Sequence, residues 1–263
     1  MRKNFVVVAL LASLIAPIQF ASADESASAK KLVLVKTING AIAPKSVLAS
    51  NSGLVSAHNM MYRHSVTIYD AISLELKATV ADSVELSKYG YSKYSGTYKG
   101  APVEGAYSPD GKYLYFTNYA MYGKGFKKEG HDTCSPASGF DTSFLSRIDL
   151  SNFQIDAVYP VGSVPKVVKV TPDNKYILVT NWCSYTVTII SVETQKTVNS
   201  VKIGRYPRGI SISRDSKYAY TVKWAVTEFT VSTLMIFQLP IFQSDQIRAQ
   251  LNFLLITPSF TQL

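Results

Sequence analysis

Four charged side chains follow closely behind a proline: Lys45 after Pro44, Glu104 after Pro102-Val103, Lys166 after Pro165 and Arg208 after Pro207. Three of the four are basic, and cations held at fixed corners suit an anion or a phosphate. Asn59, Asn118 and Asn181 recur in phase with them, the last followed by Trp182. An amide can meet a ligand with donors and an acceptor, or it can cap a turn of its own chain. The candidate ligand-binding set is therefore Lys45, Asn59, Asn118, Lys166, Asn181, Trp182 and Arg208. Other chemistry is sparse. His58, His64, His131, Asp132 and Cys134 show no His-x-x-x-His or Cys-x-x-Cys spacing, so no metal site is expected. No Gly-x-Ser-x-Gly elbow is present and no cysteine lies beside a credible base, so no catalytic residue is assigned. No cofactor is expected either.

The elements that must position these residues show best between Pro165 and Gly204. Val167 to Val170 is a short β-rich run, and Thr171-Pro172-Asp173-Asn174 is a turn in which proline presets one angle and Asp and Asn cap the bend. Tyr176 to Thr180 reads as a second strand, Val187 to Val192 as a third and Thr197 to Ile203 as a fourth. Four short antiparallel strands in about 40 residues make one blade of a β-propeller. One blade cannot bury both of its faces, so copies are required. They are present at a period of about 42 residues, since Pro165 recurs as Pro207 and Asp173 as Asp215. Upstream, YSPDGKYLYFTN (Tyr107 to Asn118) nearly duplicates VTPDNKYILVTN (Val170 to Asn181). The corner before each first strand and the loop between strands two and three share a face, which gathers the candidate set there.

The phrases SPDGKYLYFTN, TPDNKYILVTN and GSVPKVVKV resemble those of the YVTN-repeat, YncE-like β-propellers, over roughly Lys31 to Tyr220. The resemblance implies a seven-bladed propeller in the periplasm or at the cell surface, usually without established catalysis. It also implies relatives that bind DNA or are fused to electron-transfer modules, properties that need matching residues to transfer.

The chain has 263 residues, a formal charge of +9 and 47% hydrophobic residues, which suits a globular domain that can meet polyanions. Arg2 and Lys3, the apolar run Phe5 to Ile15 and Ala21-Ser22-Ala23 read as a secretory signal cleaved near Ala23. Pro17 and Gln19 interrupt the run, so no transmembrane anchor is expected in the mature chain. An exported chain meets an oxidising compartment, and Cys134 and Cys183 fall in equivalent loops of adjacent blades. They either pair or stay free thiols. Lys31 to Ile38 reads as an outer strand that completes the last blade. The segment Tyr89-Gly90-Tyr91-Ser92-Lys93-Tyr94 stacks on bases or sugars, or packs over its own blade. A second insertion, Tyr119 to Phe144, is long enough to expect function of it.

After Val222 the repeat stops. Reading permitted codons for Asn252 to Leu263 from the third base of the Asn252 codon allows the peptide LSPDNTFLYAT, another copy of the turn phrase. Upstream the same frame allows ISIGSNPR, and from about Glu228 it allows GVYSIDVNDFSTT. The tail reads as a divergent C-terminal segment or as a frameshifted blade, and three repeat motifs in the right order favour the frameshift.

The resulting expectation is an all-β chain: a signal peptide at 1–23, a flexible lead at 24–30, propeller blades at 31–222 and an aberrant tail at 223–263. About three to four blades of a seven-bladed propeller are expected, with exposed edges prone to association. The functional expectation is an exported, non-enzymatic binding scaffold for an anionic ligand, a protein or a polysaccharide. Its alternatives are a lactonase-like or redox-associated propeller enzyme, and nucleic-acid binding through the basic, tyrosine-rich face.

Overall fold

A computed structural model describes residues 32–224 and 234–239. The signal peptide, the lead and most of the tail lie outside the described residues. Two units divide after Ile38. In the first, residues 32–38 take no regular secondary structure. The outer strand expected over Lys31 to Ile38 is therefore corrected: a strand persists by ladder pairing, and Leu32, Val33, Leu34 and Val35 stay exposed without one.

The second unit is all-β. Its first sheet runs in the order β1 (Ser46–Ala49), β2 (Leu54–Asn59), β3 (Ser65–Asp70) and β4 (Leu76–Ala81). The second has β5 (Pro102–Tyr107), β6 (Tyr113–Asn118), β7 (Ser143–Asp149) and β8 (Gln154–Val161). The third has β9 (Pro165–Val170), β10 (Tyr176–Asn181), β11 (Thr186–Ser191) and β12 (Thr197–Lys202). A fourth, three-stranded sheet holds β13 (Pro207–Ile212), β14 (Tyr218–Lys223) and β15 (Leu234–Gln238). All neighbours are antiparallel, and the first strands β1, β5, β9 and β13 adjoin one another in turn. These are the blades of an incomplete propeller. The strand β15 comes from the tail, whose apolar run supplies a third strand beside β14. Among the described residues no helix is long and apolar enough to cross a membrane.

Alternation along the middle strands explains why the sheets stack. On β6, Leu114 and Phe116 face the first blade's Val66, Ile68 and Val80, while Tyr115 between them faces the third blade. On β10, Ile177 and Val179 meet the second blade, and Tyr176 and Leu178 meet Ile210, Ala219 and Leu239 of the fourth sheet. Period-two side chains thus give each blade two apolar faces and one neighbour per face. The turns repeat with equal fidelity. Asp110, Asp173 and Asp215 each accept a hydroxyl from Ser108, Thr171 and Ser213 at 2.6 Å, and the following Gly111, Asn174 and Ser216 adopt positive φ.

Candidate functional site

The loop face is shaped first by its corners. Each first strand opens behind a corner proline, and the residue before it turns left-handed at Val164 (φ 51°) and Tyr206 (φ 53°). These unfavourable conformations are held by burial, since both side chains pack with Trp182 beside the disulfide.

The three asparagines do not reach this surface as ligand groups. Asn59, Asn118 and Asn181 are fully buried. Asn59 accepts from the Ala43 N–H at 3.1 Å and donates to Ser65 and Thr67 hydroxyls. Asn181 repeats the arrangement, accepting from Gly162 N–H at 2.9 Å and donating to Thr186 and Thr188. Asn118 donates to the Phe144 carbonyl and the Ser146 hydroxyl. Each amide ties the corner or the third strand to the end of the second, and a Cβ at Gly162 would lie 2.7 Å from the Asn181 amide carbon. These bonds give the buried amides an internal, strand-tying role, while Asn118 Oδ1 is left without a hydrogen-bond partner.

The threonine before each amide performs a related task between blades. Thr117 Oγ1 donates to the Lys166 carbonyl at 2.8 Å, and Thr180 Oγ1 to the Arg208 carbonyl at 3.0 Å. The first blade carries His58 at that place and works through a relay. Ser46 Oγ donates to the Val103 carbonyl at 2.7 Å and lies 3.0 Å from His58 Nδ1. With the hydroxyl proton committed to Val103, Nδ1–H donates to Ser46 and Nε2 is left bare; Nε2 has no partner. Burial pushes the His58 pKa down to about 4. This pin was legible in the repeat alignment as a histidine in a threonine column.

The corner charges do converge. Glu104 feels Arg208, Lys169 and Lys45, and burial lifts its carboxyl above the usual range against their pull. Lys166 is buried; desolvation lowers its pKa, opposed by Asp132 and reinforced by the neighbouring Arg208 and Lys45. Lys45 is exposed and Arg208 half-buried, and among the described residues neither enters an ion pair. Lys166 Nζ lies 2.7 Å from Asp132 Oδ1, 4.5 Å from the Tyr119 ring centre and 5.3 Å from the Trp182 ring centre. The Lys166 hydrogen bond holds the Asp132 carboxyl below its ordinary range although the side chain is 73% exposed. Trp182 itself is buried, stacks on Tyr206 at 4.6 Å and donates Nε1–H to the Asp132 carbonyl at 2.8 Å. It forms a floor under Lys166 and Arg208 instead of an open stacking platform.

The second insertion roofs this corner. A Cys134–Cys183 disulfide (Cα–Cα 5.4 Å) fastens it to the third blade, and Tyr185 Oη–H donates to the Cys134 carbonyl at 2.7 Å. The tyrosine-rich loop behaves differently from both readings of its sequence. Tyr91 and Tyr94 pack against Phe144, while Tyr89 and Tyr91 donate to the carbonyls of Ile155 and Val158 on β8. Its rings are built into the second blade, across from the one that carries them. Sequence reasoning did not identify the roles of Tyr119, Ser46 or Asp132's pairing, because nothing in the repeat fixes how an insertion folds back.

A family model described as YNCE-like beta-propeller matches residues 124–217. No curated protein sequence matches the chain. Among solved structures it is similar to Kuenenia stuttgartiensis hydrazine synthase, with 19% identity and TM-score 0.55 over 79% of this chain and 49% of that one. It is also similar to a 6-phosphogluconolactonase candidate from Bacteroides uniformis, with 16% identity and TM-score 0.50 over 80% of this chain and 55% of that one. The chain thus spans about half the length of these structures, and at such identities the likeness is one of fold.

Proposed function

We propose that the chain is an exported, non-enzymatic binding protein that takes an anionic group at the corner formed by Lys45, Lys166 and Arg208. The observation that carries this reading is the convergence of three cations from the corners of the first and third blades and the fourth sheet, two of them in no ion pair among the described residues. Export rests on the N-terminal signal pattern. The anion belongs to a small molecule, an acidic protein or a polysaccharide.

An enzyme reading draws on neighbours that carry enzyme names, yet among the described residues the acids at the cationic corner are Glu104 and Asp132, and Asp132 is already committed to Lys166. Among the described residues no three His, Cys, Asp or Glu side chains gather as metal ligands. A nucleic-acid reading needs open aromatic faces, and the tyrosine-rich loop has committed its rings to packing. The deciding experiment titrates wild type and the Lys45→Gln/Arg208→Gln double variant with inorganic phosphate and citrate at low and high salt. The proposal expects salt-sensitive binding that weakens about tenfold or more in the variant. Equal affinity in both proteins would sink it.

A further inference from the structure

A cleft of about 640 Å³ opens on the loop face between the turn after β2 and the second insertion. Met60, Met61, Tyr62, Tyr119, Tyr122 and His131 line it, and its volume matches that of a small-molecule site. Its walls are mostly thioether and aromatic surface, with His64 and Glu129 beside them, and among the described residues no lysine or arginine lines it. Tyr119 belongs to the cleft and to the cationic corner at once. Its ring faces Lys166 Nζ at 4.5 Å, and its hydroxyl donates to Asp132 Oδ1 at 3.3 Å. His131, next along the chain from Asp132, also lines the cleft. The cleft therefore shares one wall, Tyr119, with an ammonium that already holds a carboxylate.

That carboxylate is the informative group. Asp132 sits on an inserted loop, keeps its side chain 73% exposed, and reaches a lysine whose own side chain is 7% exposed. Half of this pair is displaceable and half is fixed. A buried ammonium cannot be left unpaired without a desolvation penalty, so whatever displaces Asp132 must bring an equivalent anion. Glu129 lines the same cleft, where its carboxylate accepts from the Tyr122 hydroxyl at 2.7 Å. A second negative charge on the ligand would meet it unfavourably, which orients the ligand with one acidic end at Lys166.

We propose that the ligand is an amphiphilic monocarboxylate, its aromatic or aliphatic body in the cleft and its carboxylate displacing Asp132 from Lys166. This rests on the anion-binding reading above and narrows it to a chemical class. The test is calorimetric titration of the full chain with 4-phenylbutyrate, acetate and inorganic phosphate, in wild type, Asp132→Asn and Tyr62→Ala proteins. Tyr62 is 86% exposed, so its removal leaves the core intact. The expected results are 4-phenylbutyrate binding at least about tenfold tighter than acetate, a further gain of about tenfold in Asp132→Asn, and loss of the preference in Tyr62→Ala. Acetate or phosphate binding as tightly as 4-phenylbutyrate overturns the body pocket while the anion corner stands. Unchanged affinity in Asp132→Asn overturns the displacement. Failure of all three proteins to bind any of the anions removes the corner and the cleft together.

Discussion

Replacing His58 by threonine should change how stability responds to acid. The imidazole is fully buried, its Nε2 has no partner, and its folded pKa is about 4 against an ordinary 6.5. The unfolded chain therefore binds a proton near pH 6.5 that the folded chain refuses until about pH 4. Stability is lost as pH falls through this window, by about 2 kcal/mol at pH 5 and about 3 kcal/mol at pH 4. Asp82 opposes this. Burial raises its carboxyl to about 6, so the folded state takes up a proton before the unfolded one and gains stability on acidification. The wild-type profile mixes both signs, whereas the His58→Thr protein keeps the gains of the raised Asp82 and Glu104 carboxyls without the histidine loss. Urea unfolding at pH 7 and pH 5, at constant ionic strength and followed by tryptophan fluorescence, reads the difference. The variant should become more stable relative to wild type by about 2 kcal/mol on going from pH 7 to pH 5. Parallel profiles would refute the assignment of a buried neutral imidazole at the first inter-blade pin.

Three further outcomes are expected. A Cβ at Gly105 would overlap His58 Nε2 and lie 2.5 Å from Cε1, so Gly105→Ala should cost about 1–3 kcal/mol in urea unfolding. Adding His58→Ser should restore most of that loss, and an additive double variant would contradict the contact. The disulfide closes a separation of 49 residues, so reduction should lower stability by about 2–4 kcal/mol and speed proteolysis within 119–142; an unchanged melting temperature would argue against the staple. Sequencing the gene from the Tyr218 codon onward should reveal SPD and Gly-x-x-Pro repeats in the shifted frame, and a closed or meaningless frame would make the tail genuine coding sequence.

Much of the fold was legible because every blade solves the same local problem with the same residues. The Ser/Thr-x-Asp turns and the Gly-x-x-Pro corner at Pro165 carry their angles and hydrogen bonds within a few positions, so the sequence displays them directly. Alternation on β6 and β10 also announces two buried faces. The site was legible only in part. Lys45, Lys166 and Arg208 could be placed together from the repeat phase, but their different exposures depend on an insertion that follows no repeat. Recurrence of the asparagines fits a ring of ligand groups as well as a ring of structural amides. Their full burial separates the two. Leu32 to Val35 has strand-forming composition, but a strand also needs an edge to pair with, and composition cannot supply one.

The hydroxyl pins have a direction. Thr117 reaches forward to the Lys166 carbonyl and Thr180 forward to the Arg208 carbonyl, so each blade grips its successor and is gripped by its predecessor. The fourth sheet carries Val222 where the second and third blades carry threonine, and Thr221 turns its hydroxyl to the Gly209 carbonyl within its own sheet. Among the described residues the grip is thus released at the fourth sheet. The blades therefore carry a polarity, as a ratchet does, and it runs out where the hydroxyl does.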